Sequence, residues 1–185
     1  MAHPFTSIIS GIAAVVISIS CAMTAPDVSS QITEAFLQQA AAAQLEQIDL
    51  GQLATQKAES EEVKRFGARM VVDHLKFGQE VRQLASKGRF QLVNRLSESH
   101  TAMNAELTRT AGKEFDRAYS TFILREHAME MKQLEHVARE EKNPAIRQWA
   151  TDAVPMVKDH LAQAETIASS LGLAYAGLGQ YWERS

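Results

Sequence analysis

Apolar residues recur every three or four positions through residues 33–171, a spacing that keeps one face of an α-helix apolar. The same region is rich in Ala, Gln, Glu, Leu and Lys, which are good helix formers, and strict apolar–polar alternation is rare in it. Only 9 glycines and 4 prolines occur among the 185 residues. The sequence therefore predicts an all-α chain with long helices and no strands.

Helix-capping and helix-ending residues divide this region into four long segments. Ser60 can cap a helix, Gly88 suits a helix end, and Asn143-Pro144 is typical of a helix start. The predicted helices cover about 33–58, 61–87, 113–141 and 144–171, with a short helix near 94–108. Tight turns make each flanking pair an antiparallel hairpin, and the long connection carries the chain back along the molecule. The predicted fold is an antiparallel, ferritin-like four-helix bundle with one long crossover.

An internal repeat relates the two predicted hairpins. Residues 70–75 read MVVDHL and residues 156–161 read MVKDHL, so the two segments differ at one position. Each segment contains an Asp-His pair on a predicted bundle helix. The repeat indicates two related halves arranged as a pseudo-twofold bundle.

Histidines and glutamates interrupt the apolar faces of the predicted helices, at Glu46, His74, His127, Glu130 and His160. Glu46 and His74 are equally distant from residue 60, and His127 and His160 are equally distant from the Asn143-Pro144 junction. At 1.5 Å per residue, all four lie roughly 20–25 Å from their turns. We therefore expect these four side chains to share one layer inside the bundle.

Buried imidazole and carboxylate groups are costly unless they are paired or bound to a metal ion. Two interpretations stay open. In one, these residues bind a single Zn, Mn, Fe or Cu ion, and Asp73 and Asp159 support the ligands from a second layer. In the other, the layer is a polar network that only fixes helix packing. Because the sequence has no nucleophile elbow, phosphate loop or haem motif, an enzyme ranks behind both.

The N-terminal segment is typical of an export signal. Residues 5–20 are apolar and uncharged, and they are too short and too rich in small residues for a membrane span. Cleavage after Ala22 predicts a signal peptide over 1–22, whereas lipidation of Cys21 predicts attachment to a membrane, and an uncleaved N-terminal anchor is a third alternative. The remaining predicted units are a linker over 23–32, the bundle over 33–171 and a loose tail over 172–185.

The charge and the cysteine content limit which partners the chain can bind and which covalent cross-links it can form. The net charge is −3 and the basic residues are not clustered, which argues against nucleic acid, since phosphate binding requires grouped Lys and Arg. The single cysteine, Cys21, excludes an intramolecular disulfide. The expectation is an exported protein of the periplasm or cell envelope that either binds a metal or serves a structural or stress-related role.

Several motifs resemble a bacterial exported family described as domain of unknown function 4142, which is grouped with the ferritin-like proteins. The resemblance covers about residues 33–171, and the matching segments are Leu50–Ala54 with Lys57-Ala58, Val63-Lys64, Arg69–His74, Phe115–Tyr119, His127, Val154-Pro155 and His160-Leu161. It implies a four-helix fold and export, and it implies no established activity.

The wider ferritin-like superfamily suggests di-iron chemistry, and here the sequence departs from its pattern. Di-iron bundles carry a Glu three residues before a His on two of their helices. Val71 and Val157 stand at these positions before His74 and His160. A single ion held by the three histidines and a glutamate is therefore the favoured form of metal site.

Overall fold

The computed structural model describes residues 28–173, and this part of the chain is all-α. Its helices are α1 (Val28–Lys57), α2 (Glu61–Gly88), α3 (Glu98–Arg109), α4 (Gly112–Glu140) and α5 (Pro144–Ser170). No strand occurs among the described residues, so the prediction of an all-α chain is confirmed. Among these helices, none is long and apolar enough to cross a membrane. The predicted signal peptide and Cys21 lie outside the described residues, as do residues 23–27 of the linker and 174–185 of the tail.

Helix boundaries follow the predicted capping residues with two differences. Ser60 accepts a hydrogen bond from the backbone N–H of Glu62 at 3.2 Å, and Asn143 caps α5 with Pro144 in its first turn. Gly88 is the last residue of α2, and the left-handed position that follows belongs to Arg89, with φ of 60°. α1 begins at Val28, so the last part of the predicted linker is helical.

The long helices pack as two pairs. α1 packs along α2, and α4 packs along α5, while α2 contacts α5 and α1 contacts α4. Within the first pair, a Cβ on Gly78 would lie 3.3 Å from Gln44, and one on Gly51 would lie 2.6 Å from the carbonyl oxygen of Gly67. As residue numbers increase along α1, the residues that they face on α2 decrease in number. The two helices are therefore antiparallel, as the short turn between them requires.

Two glycines allow α1 and α2 to approach closely. A Cβ added to Gly67 would lie 2.7 Å from the carbonyl oxygen of Gly51, and the reverse substitution gives the 2.6 Å contact. Both distances are well inside van der Waals contact with backbone atoms that cannot rotate away. The absence of side chains at these two positions therefore sets the spacing of the hairpin.

A buried aspartate holds the turn between α1 and α2. Asp116 on α4 is 1% exposed and accepts hydrogen bonds from the backbone N–H groups of Glu59 at 3.1 Å and Ser60 at 2.8 Å. Glu59 and Ser60 lie in the turn between α1 and α2, where their N–H groups have no helical partner. The Asp116 carboxylate accepts hydrogen bonds from both groups and so satisfies them. This contact ties the first hairpin to the second.

The apolar core is divided into two clusters along the helix axes. One cluster contains Leu50 of α1, Met70 of α2 and Leu124 of α4, and the other contains Ala41, Phe77 and Leu134 of the same three helices. On each of the four long helices, buried polar residues lie between the clusters. This polar layer consists of Gln44, Gln47, His74, His127 and His160.

Candidate metal centre

Three histidines from three helices converge in the polar layer. His74 on α2, His127 on α4 and His160 on α5 each have 0% exposure. Their ring centroids are separated by 5.9 Å for His74–His127, 5.4 Å for His74–His160 and 5.5 Å for His127–His160. One ligand nitrogen from each ring lies within 4.8 Å of the others. The structure therefore brings together the three histidines that the sequence placed at one level.

Each ring has one nitrogen committed to a protein acceptor. His127 Nδ1 lies 3.0 Å from the carbonyl oxygen of Ile123, and His160 Nε2 lies 2.8 Å from Asp73 Oδ2. Both acceptors can only accept, so these nitrogens carry the proton. His74 Nδ1 lies 2.8 Å from the side-chain oxygen of Gln44, which assigns its proton to Nδ1 in the same way.

The other nitrogen of each ring is a buried acceptor without a partner. These atoms are His74 Nε2, His127 Nε2 and His160 Nδ1. With the protons fixed on the opposite nitrogens, all three present lone pairs, and lone pairs cannot hydrogen bond to one another. Three unpartnered acceptors within one buried cluster are the arrangement that a bound cation would satisfy.

Burial keeps the three rings neutral. It lowers the pKa of His74 well below its ordinary value, with further lowering from His127 and His160. It lowers the pKa of His127 to about 3, although the hydrogen bond to Ile123 opposes this shift. It also lowers the pKa of His160, where Asp73 opposes it. At neutral pH the unprotonated nitrogens are therefore available without proton loss, as metal ligation requires.

Glu130 lies behind the cluster and contacts it through Gln44. The Gln44 side chain hydrogen bonds both to His74 and to the Glu130 carboxyl group. Oε2 of Glu130 is buried without a partner, and burial raises the pKa of Glu130 to about 7. Glu130 was predicted to be a candidate ligand, and the structure places it beside the layer instead. It lies outside the set of mutually close ligand atoms that the three histidines form.

The two predicted supporting aspartates have different roles. Asp73 precedes His74 in the chain, yet its carboxylate contacts His160 on α5. Arg69 contacts this carboxylate at 3.2 Å and also forms an ion pair with Asp159. Asp73 therefore supports a histidine directly, whereas Asp159 acts one step further out, through Arg69.

The sequence matches one known protein family. The model of the family described as a domain of unknown function, DUF4142, matches residues 20–167. The chain belongs to the DUF4142 family. Comparisons with curated proteins and with solved structures find no match. Because the DUF4142 family has no described function, the function of this chain has to be inferred from the chemistry of the polar layer.

The structure does not bring Glu46 to the histidines, which corrects the predicted ligand set of this DUF4142 chain. Its Oε1 accepts a hydrogen bond from the backbone N–H of Ser97 at 2.8 Å, at the start of α3. A carboxylate is favourable there because the N-terminus of a helix carries partial positive charge. Nearby, Asp49 accepts a hydrogen bond from His100 Nε2 at 2.9 Å. These two acids anchor α3 to the outer side of α1.

Sequence reasoning missed the two glutamines that α1 contributes in place of Glu46. Gln44 and Gln47 are 3% and 6% exposed, between Ala41 and Leu50 on the inner face. The available signal was their position: they lie three residues apart, so both fall on one side of a helix. Polar amides on an inner helical face need partners just as carboxylates do.

Proposed function

We propose that this chain binds one divalent transition-metal ion through His74, His127 and His160. The proposal rests on one observation: three buried, neutral rings lie side by side, each keeps one nitrogen without a partner, and each is fixed by a hydrogen bond at its other nitrogen. Far-side acceptors of this kind orient ligating histidines in metalloproteins.

A purely structural network explains this arrangement less well. Each buried acceptor without a partner costs about 1–3 kcal/mol, and the cluster contains three of them. A network that only fixed packing would pair donors with acceptors. A cation offers all three nitrogens a partner at once. The metal-binding function therefore agrees better with the protonation pattern.

The donor set favours zinc, iron or copper over manganese. Imidazole nitrogen suits Zn, Cu and Fe, whereas Mn prefers carboxylate and carbonyl oxygen. Zn–N bonds of 2.0–2.1 Å in a tetrahedral site separate neighbouring nitrogens by roughly 3.4 Å. Nitrogens within 4.8 Å of each other reach that spacing by small side-chain rotations. The Asp73 carboxylate, which hydrogen bonds to His160, and the Glu130 carboxyl group, which reaches His74 only through Gln44, offset the charge of a divalent ion.

The surrounding architecture in this proposal is a ferritin-like four-helix bundle formed by α1, α2, α4 and α5, with α3 in the crossover. The antiparallel first hairpin and the paired helix contacts support it. The protein is exported to the periplasm or envelope, which the apolar segment at 5–20 supports. Two alternatives within this proposal attach the protein to a membrane, one through a lipidated Cys21 and the other through an uncleaved N-terminal segment.

Metal binding is tested by titration of chelator-treated protein with zinc, manganese, iron or copper, followed by equilibrium dialysis and elemental analysis. We expect one ion per chain at micromolar metal, and loss of that ion in His127→Leu. The control is His136→Leu, because His136 is an exposed histidine on the same helix. Absence of stoichiometric binding by the unaltered protein, or equal loss in both variants, would refute the function.

The alternative function is a non-catalytic structural or stress-related envelope protein. The direct hydrogen bonds of His74 to Gln44 and of His160 to Asp73 favour it, because they are complete without a metal. Under this alternative, a His74→Leu/His160→Leu double variant keeps or raises the thermal unfolding temperature, and added metal does not change that temperature in either protein. Under the metal-binding function, metal raises the unfolding temperature of the unaltered protein only.

A further inference from the structure

We infer that Gln47 is the fourth protein donor of the centre, and that its side-chain oxygen closes the coordination sphere opposite the three imidazoles. This inference rests on the proposed metal-binding function. It adds a ligand outside the His and acidic residues considered above. It also predicts that the site is structural rather than catalytic, because a closed four-coordinate site holds an ion without an open position for a substrate.

The first support is an unexplained buried atom. Gln47 is 6% exposed, and its Oε1 is buried without a hydrogen-bond partner. A buried amide oxygen left unpaired is destabilising, and replacement by an apolar residue would remove that penalty. An ion bound by the three rings would give this oxygen a partner.

The second support is the register between α1 and α4. Gln44 hydrogen bonds to Glu130, and Glu59 near the end of the same hairpin arm hydrogen bonds to Asp116. Residue numbers therefore rise along α1 while they fall along α4, at about the same rate. Three residues beyond Gln44 is Gln47, and three residues before Glu130 is His127. The register places Gln47 and His127 at one level.

The third support is the division of the core. On α1, buried apolar residues of one cluster end at Ala41, and those of the other resume at Leu50. The three histidines occupy the same gap on α2, α4 and α5. Gln47 lies in this gap on the only one of the four long helices that contributes no histidine. α1 thus contributes two amides to the layer, Gln44 as the support of His74 and Gln47 as the donor.

The resulting donor set is three neutral nitrogens and one neutral oxygen. Amide oxygen is a weak ligand that completes some copper sites without adding charge. The ion therefore keeps its full positive charge against Asp73 and Glu130. A site of this kind excludes exogenous anions as long as the fourth position is held by the protein.

Cobalt(II) is the probe for the test, because its visible spectrum reports the number and type of donors. We expect the metal-stripped protein to bind one cobalt ion per chain with a four-coordinate spectrum that excess azide does not change. Gln47→Leu should bind cobalt at least ~10-fold more weakly, and azide should shift its spectrum by entering the vacated position. Gln47→Glu, which retains an oxygen donor, should restore resistance to azide.

Gln52→Leu on the exposed side of α1 is the matched control and should behave as the unaltered protein. Metal-free Gln47→Leu should be at least as stable as the unaltered protein, since it removes an unpaired buried oxygen. An azide-sensitive spectrum of the unaltered protein would overturn the inference without need of any variant. Equal affinity and spectra in Gln47→Leu would overturn it while leaving the metal-binding function intact. Failure of the unaltered protein to bind cobalt, zinc, iron or copper would overturn both.

Discussion

His160 donates its Nε2 proton to Asp73, a residue of the neighbouring helix α2, across 2.8 Å. This bond leaves Nδ1 of His160 as its free nitrogen, whereas His74 and His127 present Nε2. The ring of His160 is thus turned the opposite way from the other two. A ligand set of two Nε2 atoms and one Nδ1 follows from this single contact between α2 and α5.

Removal of the Asp73 carboxylate should weaken metal binding. Asp73→Leu leaves the Nε2 proton of His160 without its acceptor, so the ring loses the contact that fixes its orientation. We expect a ~10–100-fold loss of metal affinity, and partial recovery in Asp73→Asn, which retains an accepting oxygen. Competition titration against a coloured chelator measures both. Asp152→Leu, an exposed acid on α5, is the control and should leave affinity unchanged.

Acid should destabilise the metal-free protein. Burial lowers the pKa of His127 from 6.5 to about 3 and lowers the pKa values of His74 and His160. At pH values between the lowered pKa of each folded-state histidine and its ordinary pKa of 6.5, the unfolded chain binds more protons than the folded one. The free energy of unfolding therefore falls as the pH falls from 6.5, by up to about 1.4 kcal/mol per pH unit for each histidine.

Glu130 should oppose this effect over part of the range. Burial raises its pKa from 4.5 to about 7, so between these values the folded state binds the extra proton and gains stability as the pH falls. Urea unfolding in a chelating buffer from pH 8 to pH 4.5 measures the sum. We expect a net loss of stability in acid that becomes steeper in Glu130→Gln and shallower in His127→Leu. Stability that stays constant over this range would contradict the burial of the rings.

The close approach of α1 and α2 should make Gly51 intolerant of a side chain. In Gly51→Ala, the new Cβ would lie 2.6 Å from the carbonyl oxygen of Gly67, so the hairpin must open. We expect a loss of about 1–3 kcal/mol in the free energy of unfolding, despite the higher helix propensity of Ala.

Gly78→Ala is the comparison variant, since its Cβ would meet the side chain of Gln44 at 3.3 Å rather than a carbonyl group. It should cost less than Gly51→Ala in the same denaturant series. An equal or greater loss in Gly78→Ala would show that the glycine pair does not set the spacing of the hairpin.

The turn between α1 and α2 should depend on Asp116. Asp116→Ala removes the acceptor of two backbone N–H groups, at Glu59 and Ser60. We expect a loss of about 2–4 kcal/mol, since hydrogen bonds to a charged group contribute about 1.5–3 kcal/mol each and are not fully additive. Glu114→Ala, at an exposed site two residues earlier on α4, should change stability by less than ~1 kcal/mol. Similar thermal shifts in the two variants would refute the role of Asp116.

The histidine layer was predictable because α2, α4 and α5 have strong contrast between their faces. His74, His127 and His160 each stand where the helical period requires an inward residue, and counting from the turns put them at one level. Capping by Ser60 and Asn143 was predictable for a similar reason, since a local side chain satisfies local backbone donors.

The inner face of α1 was assigned wrongly because this helix has neighbours on two sides, α2 and α4 on its inner side and α3 on its outer side. Its inner positions carry small or polar residues such as Ala41, Gln44 and Gln47, while its outer side contacts α3. The period therefore fits two neighbouring faces about equally well. Glu46 was placed inside on this basis, whereas its true partner is the N-terminus of α3. Asp73 supports a ligand as predicted, but which histidine it supports was not predictable, because its side chain reaches across to another helix and spacing along one helix does not reveal that.

The most direct test of the metal centre is a crystal structure of the metal-loaded protein, with anomalous diffraction data collected on both sides of the absorption edge of the bound element. We predict one anomalous peak per chain, about 2.0–2.1 Å from His74 Nε2, His127 Nε2 and His160 Nδ1. A metal-loaded crystal whose only peaks lie at surface sites, with the three rings still contacting only protein atoms, would contradict the account.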